Sequence, residues 1–219
     1  MKRLIAQLIA TLCVLLALIP TANAGWVTTK EVQIVVSFVN PDLFAYFSQN
    51  GNVITSDLTV TNPPGSTYVF LGGLFPAGTV DLNQHTYTKD HNGNPLTGEN
   101  SIGTWLCTGT RLIRWNLSGV DFPAQGTVVE EMNWTFLLKN PTGPSTEIHS
   151  KGWFRAGQPG TGPDVVVGRA LLDILGGTAQ NAGIEGEIQS EVYLSPDGLA
   201  SLTVLKLSTP IKIFVPKGG

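Results

Sequence analysis

The sequence predicts an all-β chain, one domain folded as a sandwich or an up-and-down barrel. Three observations predict it. Only 13% of the 219 residues are charged, against roughly 25% in a typical domain. Turn formers are dense, with 25 Gly and 14 Pro. Between them lie short apolar runs that alternate with period two, and none carries a convincing helical period. The length suffices for one sizeable core. This balance excludes coiled coils, helical bundles and charged disordered tails. A formal charge of −3 leaves no electrostatic footprint for nucleic acid or an anionic membrane surface.

The first segment, Met1 to Ala24, reads as a cleaved secretory signal. Lys2 and Arg3 precede an apolar run from Leu4 to Ile19, Pro20 ends it, and Ala22-Asn23-Ala24 supplies a cleavage site before Gly25. The run is shorter than the roughly 20 residues of a spanning helix, and no later stretch is long enough, so no membrane span is expected. Cleavage removes Cys13 and leaves Cys107 alone. An intramolecular disulfide is thereby excluded, and a buried, small hydrophobic role is preferred over a reactive thiol.

The remaining segments read as strands in turn. Val32, Ile34, Val36 and Phe38 form an opening strand, broken at Asn40-Pro41-Asp42. Val53 to Thr61 is rich in β-branched residues and closes at Asn62-Pro63-Pro64-Gly65. Tyr68 to Leu71 stops at Gly72-Gly73. Residues 81–100 form a long polar loop, of the kind that is functional or disordered. Strands follow at Thr104 to Leu117, Gly126 to Lys139 and Thr146 to Arg155. Asp164 to Leu175 is ambiguous by period alone; Val165-Val166-Val167 and the closing Gly176-Gly177 favour a strand. Ile184 to Leu194 has an acidic outer side, turns at Ser195-Pro196-Asp197-Gly198, and returns as Leu199 to Leu207 in a hairpin. Ile211, Ile213 and Val215 make a last segment after Pro210. The glycines read as the corners between strands.

Motifs for nucleotide, zinc-protease or serine-hydrolase chemistry are absent from the sequence. Asp81, His85, Asp90 and His91 share the long loop, and Asp90-His91-Asn92-Gly93-Asn94 resembles the start of a calcium loop. Pro95 falls where the turn glycine belongs and Ser101 where the bidentate Glu belongs, so no metal and no cofactor is expected. Glu130 shares the apolar face of its strand with Val128, Met132 and Trp134. Buried, it would suit acid–base work; the preferred reading is a solvated position at the strand's start, where Glu130→Gln changes little. Arg111, Arg114 and Arg169 lie in strands and could pair with it or with Asp173. Trp105, Trp115, Trp134 and Trp153 suit a ligand cavity, although an aromatic core is the default. The glycosylation sequons at Asn116 and Asn133 read as chance matches.

Phe75-Pro76-Ala77-Gly78-Thr79, Ile102 to Thr110, Arg169-Ala170-Leu171, Leu175-Gly176-Gly177-Thr178 and Gly183 to Glu187 occur in that order. Together they resemble the allene oxide cyclase-like barrel proteins that bacteria secrete. The resemblance implies an eight-stranded, calycin-like antiparallel barrel with an internal cavity. Plant relatives act as cyclases or as dirigent proteins that guide coupling, often as trimers, which implies a homo-oligomer.

The functional expectation is an exported barrel, periplasmic or extracellular, that binds a small apolar or amphipathic molecule through Trp105, Cys107, Trp134 and Phe136. The alternative is a cofactor-independent isomerase or cyclase in the same cavity, with Glu130, Arg111 and Arg169 as catalytic candidates. A filled barrel serving a structural or surface-interaction role is the third reading.

Overall fold

A computed structural model describes residues 24–38, 45–49, 52–55, 65–114, 128–156 and 160–216. The signal segment, the Asn40-Pro41-Asp42 break, Trp115, the Asn116 sequon, most of the Val53 to Thr61 strand and the Arg114 side chain lie outside them. The described residues form ten strands: β1 (Gly25–Ser37), β2 (Ala45–Gln49), β3 (Asn52–Thr55), β4 (Thr67–Pro76), β5 (Gly103–Arg114), β6 (Val128–Leu138), β7 (Thr146–Ala156), β8 (Gly168–Gly177), β9 (Gly186–Leu194) and β10 (Ala200–Val215). Among the described residues the helical content is one 3-10 turn, Ala179–Asn181, and no helix is long and apolar enough to cross a membrane.

Strands β4 to β10 pair consecutively and antiparallel; β10 then pairs with β1, and β1 returns to β4. Eight strands thus close into an up-and-down barrel, which removes the exposed edges an open sheet would leave. The closing seam is short. β1 meets β4 over Val32–Val35 against Gly73–Pro76, while the β2–β3 hairpin takes the other half of β4 through Ala45–Ser48.

Strand alternation sends one parity inward. On β6 these are Glu130, Met132, Trp134, Phe136 and Leu138, all buried. At the end where β5 begins, the interior is filled by aliphatic side chains, among them Leu138, Ile148, Ile174, Leu207, Ile211 and Ile213. The opposite end, where β4, β6, β8 and β10 begin, carries aromatic and polar groups instead.

Two expected breaks prove continuous. β4 runs through Gly72-Gly73 because a Cβ at Gly72 would stand 2.9 Å from the Val35 carbonyl oxygen and 2.8 Å from Ile34. The glycine serves a close strand approach, not a corner, and Gly103, Gly109, Gly152 and Gly168 likewise lie within strands. β10 runs through Pro210 because its register to β1 shifts between Thr29, opposite Ile211, and Glu31, opposite Lys206. Proline costs no ladder bond at such an irregularity.

The long loop is ordered and packs outside the barrel. Tyr87 is fully buried in a second apolar cluster with Val35, Phe75, Val80, Tyr193, Ala200 and Leu202. Apart from Val80, which follows β4, these come from the outward parity of β1, β4, β9 and β10, so parts of β1 and β10 are covered on both faces. Gln33 fastens the loop: its Nε2 donates to the Val80 carbonyl and its Oε1 accepts from the Val80 N–H, each at 2.9 Å. Lys139 Nζ holds the far end through the carbonyls of Gly98 and Ser101. The Asp90 carboxylate is used internally, accepting from the N–H groups of Asn92 (2.9 Å) and Asn94 (2.8 Å) and from Asn94 Nδ2 (2.9 Å). Burial raises its pKa, but the Asn94 and Asn92 bonds outweigh this and hold the carboxyl below its usual range. Among the described residues no three His, Cys, Asp or Glu side chains gather as a metal site.

Gln33→Ala strands the Val80 N–H and C=O without partners and is expected to cost about 2 kcal/mol. Amide hydrogen exchange should quicken across residues 80–96 while β6 and β7 keep their protection; uniform protection would contradict the fastening role.

Candidate functional site

The aromatic end of the barrel holds a cavity of about 110 Å³. β5 and β6 build one wall from Trp105, Cys107, Glu130, Met132 and Trp134, and β4 adds Tyr68 and Phe70. β10 lies four strands from β6 around the ring, so its Ser201 and Thr203 form the facing wall, beside Val36 of β1 and Val192 of β9. Phe154 of β7 folds over the ladder toward Gly168, where a Cβ would collide with its ring.

Register places Arg111 of β5 directly opposite Glu130 of β6. Both are buried, at 8% and 5% exposure. Arg111 Nε and Nη2 donate to Glu130 Oε1 at 2.9 and 2.7 Å. The Tyr68 hydroxyl lies close to the same carboxylate. Burial first, and then the Glu130 charge, push the Tyr68 pKa well above its ordinary value, so the phenol keeps its proton. Gly109 makes this contact available. It is Tyr68's partner across the β4–β5 ladder, and a Cβ there would run into the Tyr68 hydroxyl and lie 2.7 Å from the Glu131 carbonyl oxygen.

Cys107 is free and buried. Burial, followed by the Glu130 charge, drives its pKa well up, and the nearby polar N–H of Trp134 and O–H of Tyr68 only partly offset this. It is therefore a neutral thiol, which fits the small-hydrophobe reading better than a reactive one. Trp105 and Trp134 pack edge-to-face, with centroids 5.3 Å apart and planes at 85°. Trp134 in turn meets Phe136 at 6.3 Å.

Several sequence expectations change here. The solvated reading of Glu130 fails because the β5–β6 register gives it an inward guanidinium partner. Trp105, Cys107 and Trp134 do come together on the cavity wall. Phe136 sits one step deeper in the core, behind Trp134, and is not on the wall. Arg169 is not brought to the cavity: it has outward parity, next to inward Ala170, and pairs with Glu191 at 3.1 Å on the outer surface. Trp153 also faces out and is 54% exposed. Asn133 of the second sequon is exposed on the outer face of β6. Sequence reasoning missed Tyr68. The available signal was Gly109, the gap in the inward series Trp105, Cys107, Arg111 that the Tyr68 side chain occupies.

No model of a known protein family matches the sequence, and no curated protein matches it. Solved structures do align with it. The pterocarpan synthase dirigent protein PsPTS1 aligns with a TM-score of 0.50 at 11% identity, over 89% of this chain and 97% of that one. The pterocarpan synthase dirigent protein GePTS1 aligns at 0.48 and 11% identity, over 90% of this chain and 88% of that one. A pyocyanin demethylase aligns at 0.41 and 15% identity, covering 83% and 100% respectively.

Proposed function

We propose, with the eight-stranded barrel fold shared with such proteins as the premise, that this is an exported protein of the allene oxide cyclase-like group whose cavity binds a small apolar or amphipathic molecule. One observation carries the reading: one end of the barrel is packed with aliphatic side chains, whereas the other leaves about 110 Å³ unfilled between aromatic walls. Unfilled volume in a core forfeits about 24 cal/mol per Å³, so a space of this size costs stability that a ligand restores. The Met1 to Ala24 pattern supports export.

Benzene is a suitable first probe because it is a compact apolar ring; an enclosed apolar cavity of about 150 Å³, somewhat larger than this one, admits it. The melting temperature is expected to rise with benzene concentration, as it does for any ligand that binds only the native state. Val192→Phe, which fills the space, should abolish that response while keeping a cooperative transition. A melting temperature indifferent to benzene and to similar single-ring compounds would sink the binding reading. Protein recovered from its host should have the mass of residues 25–219; the mass of the whole chain would sink the export reading.

A further inference from the structure

Two donors on the cavity wall are without a conventional acceptor. Trp105 and Trp134 are 6% and 3% exposed, both line the cavity, and neither indole Nε1–H has an oxygen or nitrogen acceptor among the described residues. An indole donates one hydrogen bond and accepts none. For Trp134 the nearby group is the Cys107 thiol, a weak acceptor. A buried donor left unsatisfied forfeits the hydrogen bond it makes to water in the unfolded chain. Other buried polar groups, such as Gln33, Asn181 and Ser195, are paired, although Ser66 Oγ, away from this cavity, is not. Two such omissions on one wall of one cavity mark a place where the missing acceptor arrives with the occupant.

The charges decide what kind of occupant. Arg111 and Glu130 neutralise each other at 2.7 Å, and Tyr68 stays protonated beside them. A carboxylate or ammonium would enter without a free counter-ion and would forfeit its hydration. On the facing wall Ser201 and Thr203 are buried hydroxyl residues, able to donate or accept. The remaining lining is apolar: Val36, Phe70, Met132, Phe154 and Val192.

Building on the binding reading above, we infer that the ligand is a neutral molecule of about one ring whose ring nitrogen accepts from the Trp105 indole, or whose carbonyl oxygen accepts from the Trp105 and Trp134 indoles together. Water is the competing occupant. About 110 Å³ has room for three or four waters at roughly 30 Å³ each.

The test compares three probes of similar size at pH 7.5: benzene without an acceptor, pyridine with one, and benzoate with a charge. Protein labelled with ¹⁵N at tryptophan reports the indole N–H groups directly, and Trp105→Phe and Trp134→Phe assign the two resonances. Pyridine is expected to shift at least the Trp105 resonance downfield and to bind about fivefold more tightly than benzene, the worth of one hydrogen bond. Trp105→Phe should erase that preference while benzene still binds. Benzoate should not compete. Equal binding of benzene and pyridine with unmoved indole signals overturns this inference but leaves the binding reading intact, as does tight benzoate binding. Indole signals that exchange magnetisation only with water, whichever probe is present, also overturn it. Failure of all three probes overturns the binding reading itself.

Discussion

Glu130→Gln is expected to lower the free energy of unfolding by about 3 kcal/mol, read from urea denaturation, because it leaves a buried guanidinium without its counter-charge. The amide can still accept from Arg111 Nη2, so the loss measures charge compensation more than geometry. It also removes the carboxylate that the Tyr68 hydroxyl meets. The double variant Arg111→Met/Glu130→Leu removes both charges and is expected to recover most of the stability, since apolar replacement of a whole buried pair is often neutral. A single-variant loss below about 0.5 kcal/mol, the range of ordinary surface substitutions, would return Glu130 to the solvated position that its place near the start of its strand suggests.

Gly152→Ala is expected to cost a further, independent 3 kcal/mol or so, at the upper end of overpacking penalties. Gly152 lies mid-strand in β7, opposite Met132 on one side and Leu172 on the other. A Cβ there would strike the Leu171 carbonyl oxygen and come within 2.6 Å of Leu172 Cα. Both obstacles are backbone, so no rotamer change relieves them and β7 must part from β8. Gly109→Ala offers a contrast, since much of its clash is with the Tyr68 side chain. If Gly152→Ala unfolds at the wild-type urea concentration, the sheet is less tightly coiled there than the geometry requires.

The all-β class was legible because alternation is a local property: each strand's inward series, such as Trp105, Cys107 and Arg111, can be read without knowing its neighbours. Closure and pairing were not local, and they decided the site. Whether Glu130 is solvated depends on which residue of β5 faces it, and a one-residue slip would have exchanged Arg111 for another side chain. Arg169 shows the converse. It sits among apolar neighbours in sequence, yet parity sends it outside to Glu191. The glycines misled for a related reason. A glycine pair closing an apolar run reads as a turn, but Gly72 answers to a chain far away in sequence, as Gly109 and Gly152 do within their strands. The long loop was equally opaque, since its order rests on Gln33 and on an outward apolar face of β1 and β10 that alternation alone would assign to water.

The β1–β10 ladder has a consequence in time as well as in space. It joins Gly25 to Val215, nearly the full length of the described chain, and contacts so distant in sequence form slowly because a large loop must first be closed. The hairpins from β4 to β10 can form as each partner is made, but the ring stays open until the C-terminal strand arrives. For a chain exported as proposed above, N-terminus first, the ring thus stays unclosed throughout the passage. It becomes a barrel only after its last strand is through.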